Sequence, residues 1–176
     1  MPRTLFFSWL FLPLAVVTTN CDAPQAEPRV TSIPDEDWDR RQVALPTTDS
    51  LATGSTYLSS YSQVYVRSQG MKFSLTGTIS LRNINLTDTV YLTRGAYYGT
   101  VGTELRNYFD QPIYLAPMET VEIIITEEDI AGGTGDNFVF DWSVPAGAHA
   151  PFFEGVFISV YGQQGISFVT NGVRIK

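Results

Sequence analysis

Apolar and polar residues alternate with a period of two over several stretches of the chain. Between Met71 and Arg82 every second residue is apolar, apart from Gly77, and the residues between them are Lys, Ser, Thr or Arg. The same alternation recurs at 120–126 and 138–144. Successive side chains of a strand point to opposite faces, so this pattern predicts β-strands with one buried face. The glycine within the apolar series predicts a bulge or bend there.

The stretch 153–161 is apolar on both faces, which indicates a central strand. Weaker strand candidates, separated by turn residues, are 58–66, 89–98, 106–109, 165–169 and 173–175. No stretch of useful length shows the helical period of 3.6 residues. The pattern therefore predicts an all-β, immunoglobulin-like β-sandwich of about eight or nine strands over residues 56–176.

The N-terminal residues 1–21 have the features of a signal peptide that ends at a lipid-modified cysteine. Arg3 precedes an apolar run at 5–17, which is shorter than the ~20 residues of a membrane-spanning helix. Cys21, the only cysteine, follows where a bacterial lipoprotein signal places its acylated residue. The preceding Thr-Thr-Asn departs from the usual cleavage signal. Ordinary signal-peptidase cleavage and an uncleaved anchor therefore stay open as alternatives to lipidation.

The composition of residues 22–55 predicts a mostly disordered tether between the signal and the domain. They contain four prolines, an acidic cluster at 35–37 and many Ser and Thr, with little apolar surface to offset the entropy of ordering. Trp38 is the exception, and we expect it to dock on the domain. This organisation predicts an exported protein, held on a membrane by its lipid and facing the periplasm or the cell exterior.

Charge and composition argue against several functions. The net charge of −7 and the scattered basic residues disfavour binding to nucleic acid. His149 is the only histidine, which makes nucleophilic triads and zinc sites improbable. We therefore predict no enzymatic activity, no cofactor and no resident metal.

The most unusual segment is the acidic glycine loop, residues 127–137. It combines Glu127, Glu128, Asp129, Asp136 and Asn137 with three glycines. Carboxylate and amide oxygens are the ligands that Ca²⁺ takes, although the spacing differs from that of an EF-hand. A long turn with solvated carboxylates explains the same residues, so a small-ligand or Ca²⁺ site is the alternative hypothesis.

Two further residues complete the candidate ligand-binding set. Glu154 shares a strand face with Val156 and Ile158, so we expect partial burial and an ion pair with Arg82 or Arg94. Trp142 could stack on a sugar ring between opposed carboxylates, which makes a carbohydrate-active enzyme a distant alternative. The full candidate set is Asp129, Asp136, Asn137, Trp142 and Glu154.

Six short segments carry a resemblance to a known family. In chain order they are SSYS at 59–62, ISLRN at 79–83, AYYGT at 96–100, LAPMET at 115–120, EDIAGGTGDNF at 128–138 and GISF at 165–168. Together they resemble the bacterial family called domain of unknown function 3124, over about residues 57–175. That family resembles exported proteins and lipoproteins, and the resemblance implies no activity, substrate or site residue. The leading hypothesis is a non-enzymatic envelope module that binds another envelope protein.

Overall fold

The computed structural model describes residues 36–47 and 50–176. The predicted signal peptide, Cys21 and most of the predicted tether lie outside these residues. Within them, no helix has both the length and the apolar character needed to cross a membrane.

The described chain consists of antiparallel strands and one 3₁₀ turn at Trp38–Arg41. In chain order the strands are β1 (Leu51–Ser59), β2 (Gln63–Val66), β3 (Ser68–Ser74), β4 (Thr76–Arg82), β5 (Val90–Tyr98), β6 (Glu104–Asn107), β7 (Ile113–Leu115), β8 (Thr120–Ile125), β9 (Asn137–Pro145), β10 (Phe152–Tyr161), β11 (Gln164–Asn171) and β12 (Val173–Arg174). The predicted all-β sandwich is confirmed, with twelve strands in place of eight or nine.

Two sheets form the sandwich. The first has the strand order β12-β1-β9-β5-β6, with β7 also paired to β5. The second has the order β11-β10-β4-β8, and the hairpin β2–β3 pairs only with itself. The stretch 153–161 is a central strand as predicted, because β10 lies between β11 and β4.

The core lies between the two sheets and is rich in aromatic rings. Phe138 and Phe140 of the first sheet stack on each other, and Phe140 stacks on Phe153 of the second sheet with ring centroids 4.5 Å apart. The alternation in β8 is reproduced in its burial, since Val121 and Ile123 are buried and Glu122 is exposed. Burial of such rings and aliphatic chains is the main contribution to the stability of the fold.

The stretch from Met71 to Arg82 is two strands instead of one. The break falls at Leu75, which is buried and donates its backbone N–H to the carbonyl of Ser62 at 2.9 Å. The predicted bulge at Gly77 is wrong, because β4 pairs with both neighbours without a register shift. The glycine has a different role: a Cβ there would lie 2.9 Å from the ring of Phe157.

Packed structure begins earlier than the predicted boundary at residue 56. Trp38 packs on Phe109 with ring centroids 5.5 Å apart, as expected for docking. Arg41 forms an ion pair with Glu119 at 2.9 Å. Strand β1 starts at Leu51, inside the predicted tether of 22–55, because its backbone pairs with β9 from that residue onward.

Candidate functional site

The centre of the acidic glycine loop is the buried carboxylate of Asp136, whose side chain is only 1% exposed. Its Oδ2 accepts hydrogen bonds from the Ser62 backbone N–H at 2.9 Å, the Ser62 hydroxyl at 2.6 Å and the Tyr97 hydroxyl at 2.8 Å. Its Oδ1 accepts from the Ser60 hydroxyl. Four donors therefore surround a carboxylate that has no cation partner among the described residues. This arrangement satisfies a buried charge by hydrogen bonding alone.

The loop backbone is tied to the same neighbours. The backbone carbonyl of Gly133 accepts a hydrogen bond from the N–H of Gln63 at 2.9 Å. The carbonyl of Gly132 accepts one from the N–H of Thr100 at 2.9 Å. A Cβ at Gly132 would lie 1.9 Å from the Tyr97 hydroxyl and 2.0 Å from Asp136 Oδ2. Only glycine allows the backbone to approach the carboxylate this closely.

Asp129, the second predicted carboxylate of the loop, forms an ion pair with Arg106 at 2.7 Å. The guanidinium of Arg106 lies over the ring of Tyr97, 5.4 Å from its centroid. Burial raises the pKa of Tyr97 above its ordinary value, and burial likewise raises the pKa of Tyr108. The two phenols therefore stay protonated beside the carboxylates.

The acidic residues of the loop do not converge on a common point. Asp136 is enclosed by its donors, and Asp129 faces Arg106. Within residues 36–47 and 50–176, no three His, Cys, Asp or Glu side chains are grouped so that they could hold a metal ion. Hydrogen bonding and ion pairing account for these two carboxylates without a ligand.

The other predicted site residues lie apart from one another. Asn137 opens β9 and pairs with Ser59 of β1. Trp142 is buried in the core, and its indole N–H donates to the Thr56 hydroxyl at 2.9 Å. Glu154 lies on the second sheet, where it forms the expected ion pair with Arg82 at 3.1 Å. Asp129, Asp136 and Asn137 belong to one loop but face different partners, and Trp142 and Glu154 lie elsewhere.

Sequence reasoning missed the partners of Asp136. Three of the segments that carry the family resemblance meet there, namely SSYS at 59–62, AYYGT at 96–100 and EDIAGGTGDNF at 128–138. Their serines, tyrosine and aspartate form one hydrogen-bond network. All three segments belong to the family resemblance, and this was the sequence signal that could have suggested that they lie together.

A second feature that sequence reasoning missed lies on the outer face of the second sheet. Five aliphatic side chains, named here the aliphatic patch, occupy it: Ile124, Val156, Ile158, Val160 and Val169. The strand registers set Ile124, Thr78, Val156 and Val169 in one row across all four strands. Val160 is 76% exposed and Ile158 is 48% exposed. The four members on β10 and β11 are neighbours, whereas Thr78 of β4 separates Ile124 from them. An exposed apolar surface of this kind is typical of an interaction site.

The outer face of the first sheet is different in character. Ser55 of β1 donates a hydrogen bond to Asp141 of β9. Arg94 of β5 donates to the Tyr98 hydroxyl at 2.7 Å and pairs with Glu104 of β6. These contacts of the first sheet are ionic or polar, and the row Tyr57, Val139 and Ala96 crosses the same face beside them. The second sheet presents aliphatic side chains beside its Arg82–Glu154 pair.

The fold and these surfaces define an all-β sandwich domain of two antiparallel sheets. The chain belongs to the family described as Protein of unknown function (DUF3124), whose sequence profile matches residues 53–175. A search of curated proteins gives no match. Among solved structures, the one described as "Crystal Structure of Thermotoga maritima 1070" is similar at 10% identity with a TM-score of 0.42, covering 68% of this chain and 94% of that chain.

Proposed function

We propose that this protein is a lipid-anchored, non-enzymatic interaction module of the cell envelope, and that the aliphatic patch binds another envelope protein. The patch is the observation that carries the proposal. Exposed aliphatic side chains on a sheet face give up unfavourable contact with water when a partner covers them. The outer face of the first sheet offers less gain, because its Val139 is only partly exposed and its Ala96 is already buried.

The order of the chain supports the envelope location. Residues 1–21 have the composition of a lipoprotein signal ending at Cys21, and the family match follows it at residues 53–175. A lipid at Cys21 would hold the patch near other membrane-associated proteins, which raises their effective concentration.

Site-specific photo-crosslinking in the native host tests the patch. A photoreactive residue replaces Ile158 in one variant and Thr53, an exposed residue of β1 in the first sheet, in a matched control. We expect a discrete crosslinked product from position 158 that is absent from position 53. Equal products from the two positions, or none from position 158, would contradict the proposal.

The lipid anchor is tested separately by metabolic labelling with a fatty-acid analogue. We expect label on the unaltered chain and none on Cys21→Ala. Equal labelling of both, or no label on either, would remove the anchor from the proposal and leave the crosslinking result to decide the binding role.

A further inference from the structure

Strand β11 is an unprotected sheet edge. It pairs only with β10, and no other described strand covers its far side. Its sequence, QGISFVTN, holds no charged residue and no proline. Free edges expose a row of unpaired N–H and C=O groups, and proteins usually block them with charges, prolines or bulges.

The other edges of the two sheets carry such blocks or are short: β7 has only three residues, and its Ile113 bridges to Gln42. Strand β8 contains Glu122. Strand β6 contains both Glu104 and Arg106, and its register with β5 is shifted. Strand β12 is two residues long and includes Arg174. Among the described sheet edges, β11 alone has eight residues, no charge and no register shift.

The hairpin geometry shows which groups of β11 face outward. The β10–β11 turn has two residues, and Gly162 has φ of 61°, which fits a type II′ turn closed by Tyr161 and Gln164. Hydrogen-bonded and non-hydrogen-bonded pairs alternate from that closing pair. The residues with outward N–H and C=O groups are Gly165, Ser167, Val169 and Asn171.

Charge favours a second copy of this chain as the occupant of the edge. The chain has a net charge of −7, but it has no Asp or Glu after Glu154. Two copies that approach through β11 therefore set no carboxylate of that strand against another. In a two-fold symmetric pairing, residues near the axis face the same residues of the other copy. An uncharged strand can pair in this way without placing like charges opposite each other.

We propose that β11 pairs in antiparallel fashion with β11 of a second copy, joining the two four-stranded sheets into one continuous sheet. Because only alternate residues face outward, the axis of a full-length pairing falls at residue 167 or 168. Ser167 therefore lies at or beside the axis. The proposal does not depend on the lipid anchor or on a partner of the aliphatic patch.

Sedimentation velocity on the chain from residue 22 onward tests this pairing, since that chain keeps every described residue. We expect a dimer for the unaltered sequence. Ser167→Lys and Ser167→Glu should each raise the dimer dissociation constant about fivefold or more, through like charges across the axis. An equimolar mixture of the two variants should recover the dimer, because the charges are then opposite.

The matched control is Ile124→Lys, which places the same charge on the same face but at the β8 edge. This variant should leave the dimer intact, and it should weaken the crosslinking of an envelope protein from position 158 of the aliphatic patch. Near-ultraviolet circular dichroism checks that each variant is folded. A monomer at the highest soluble concentration of the unaltered chain, a dimer insensitive to Ser167 charges, or a mixture that stays monomeric would overturn the proposal.

Discussion

At the scale of single residues, Asp136 shows how an acidic side chain in a glycine loop becomes a structural acceptor. Its carboxylate joins the β1–β2 corner through Ser60 and Ser62 and joins β5 through Tyr97. Composition left two interpretations open, a long turn with solvated carboxylates and a ligand or Ca²⁺ site. The donors that occupy Asp136 come from residues 39 to 76 positions away in the chain.

Asp136→Asn should lower the free energy of unfolding by about 1–3 kcal/mol. The amide keeps one acceptor and presents an N–H₂ group to donors that then lack a partner. Urea denaturation measures the change, with Glu127→Gln, an exposed residue of the same loop, as the control. Equal stability of the two variants would show that the network contributes little.

Gly132→Ala should also destabilise the fold, by about 1–3 kcal/mol, because the added methyl overlaps both the Tyr97 hydroxyl and Asp136 Oδ2. Gly135→Ala is the matched control, since its Cβ would lie no closer than 3.7 Å to a neighbour, Thr100. Thermal unfolding compares the two. A lower melting temperature for Gly135→Ala than for Gly132→Ala would contradict the close-approach argument.

Met118→Gly should stabilise the protein by about 0.5–1 kcal/mol. Met118 has φ of 59° in the turn where Glu119 N–H bonds to the Ala116 carbonyl, and that left-handed conformation favours glycine. The side chain is 62% exposed, so little packing is lost. Differential scanning calorimetry should show a higher melting temperature. A decrease would mean that the contacts of the Met118 side chain stabilise the fold more than relief of the left-handed backbone does.

At the scale of elements, the 3₁₀ turn Trp38–Arg41 is held by side-chain packing more than by its own backbone. It is a single short turn, and its indole contacts both Tyr108 and Phe109. Four prolines and an acidic cluster made residues 22–55 look disordered as a whole. Trp38, together with the Arg41–Glu119 ion pair, attaches part of that segment to the rest of the domain.

Trp38→Ala should reduce the free energy of unfolding by about 1–3 kcal/mol through lost apolar burial and two aromatic contacts. It should also increase amide hydrogen exchange at residues 36–47, where Val43 N–H bonds to the Pro112 carbonyl at 2.9 Å. Arg40→Ala, an exposed change in the same turn, serves as the control. Unchanged exchange in Trp38→Ala would show that the segment is held by other contacts.

At the scale of the whole molecule, the raised pKa values of Tyr97 and Tyr108 predict alkaline destabilisation. An unfolded tyrosine titrates near pH 10, whereas the folded state keeps its phenolic protons to higher pH. Above about pH 10 the unfolded state therefore binds fewer protons, so the free energy of unfolding falls as pH rises. Below that pH this contribution is fully present.

Urea denaturation between about pH 9 and 11.5 measures this dependence, with the lower bound set by the ordinary tyrosine pKa. Tyr97→Phe should show a shallower decline than the unaltered protein, whatever its stability at neutral pH. Tyr65→Phe, at an exposed position on β2, should keep the original slope. Identical slopes in all three proteins would contradict the assignment to Tyr97.

The sequence by itself determined the fold class, the family and most strands. Period-two alternation is a local property of a strand with one buried face, so β8 and β9 were readable from neighbouring residues alone, whereas the break between β3 and β4 at Leu75 was not. The sequence also predicted that Glu154 forms an ion pair with an arginine, because a half-buried carboxylate needs a cation. The lipid anchor at Cys21 lies outside the described residues and stays a prediction.

Only the tertiary structure decided which side chains meet and which faces stay open. The run in β10 is apolar on both faces, yet the first sheet covers only the side of Phe153 and Phe157, and Ile158 on the other side stays exposed. Local sequence cannot distinguish these faces, because burial depends on which strands pack above and below. For the same reason the buried Asp136 network, the aliphatic patch and the uncharged β11 edge were decided by the packing and order of the sheets.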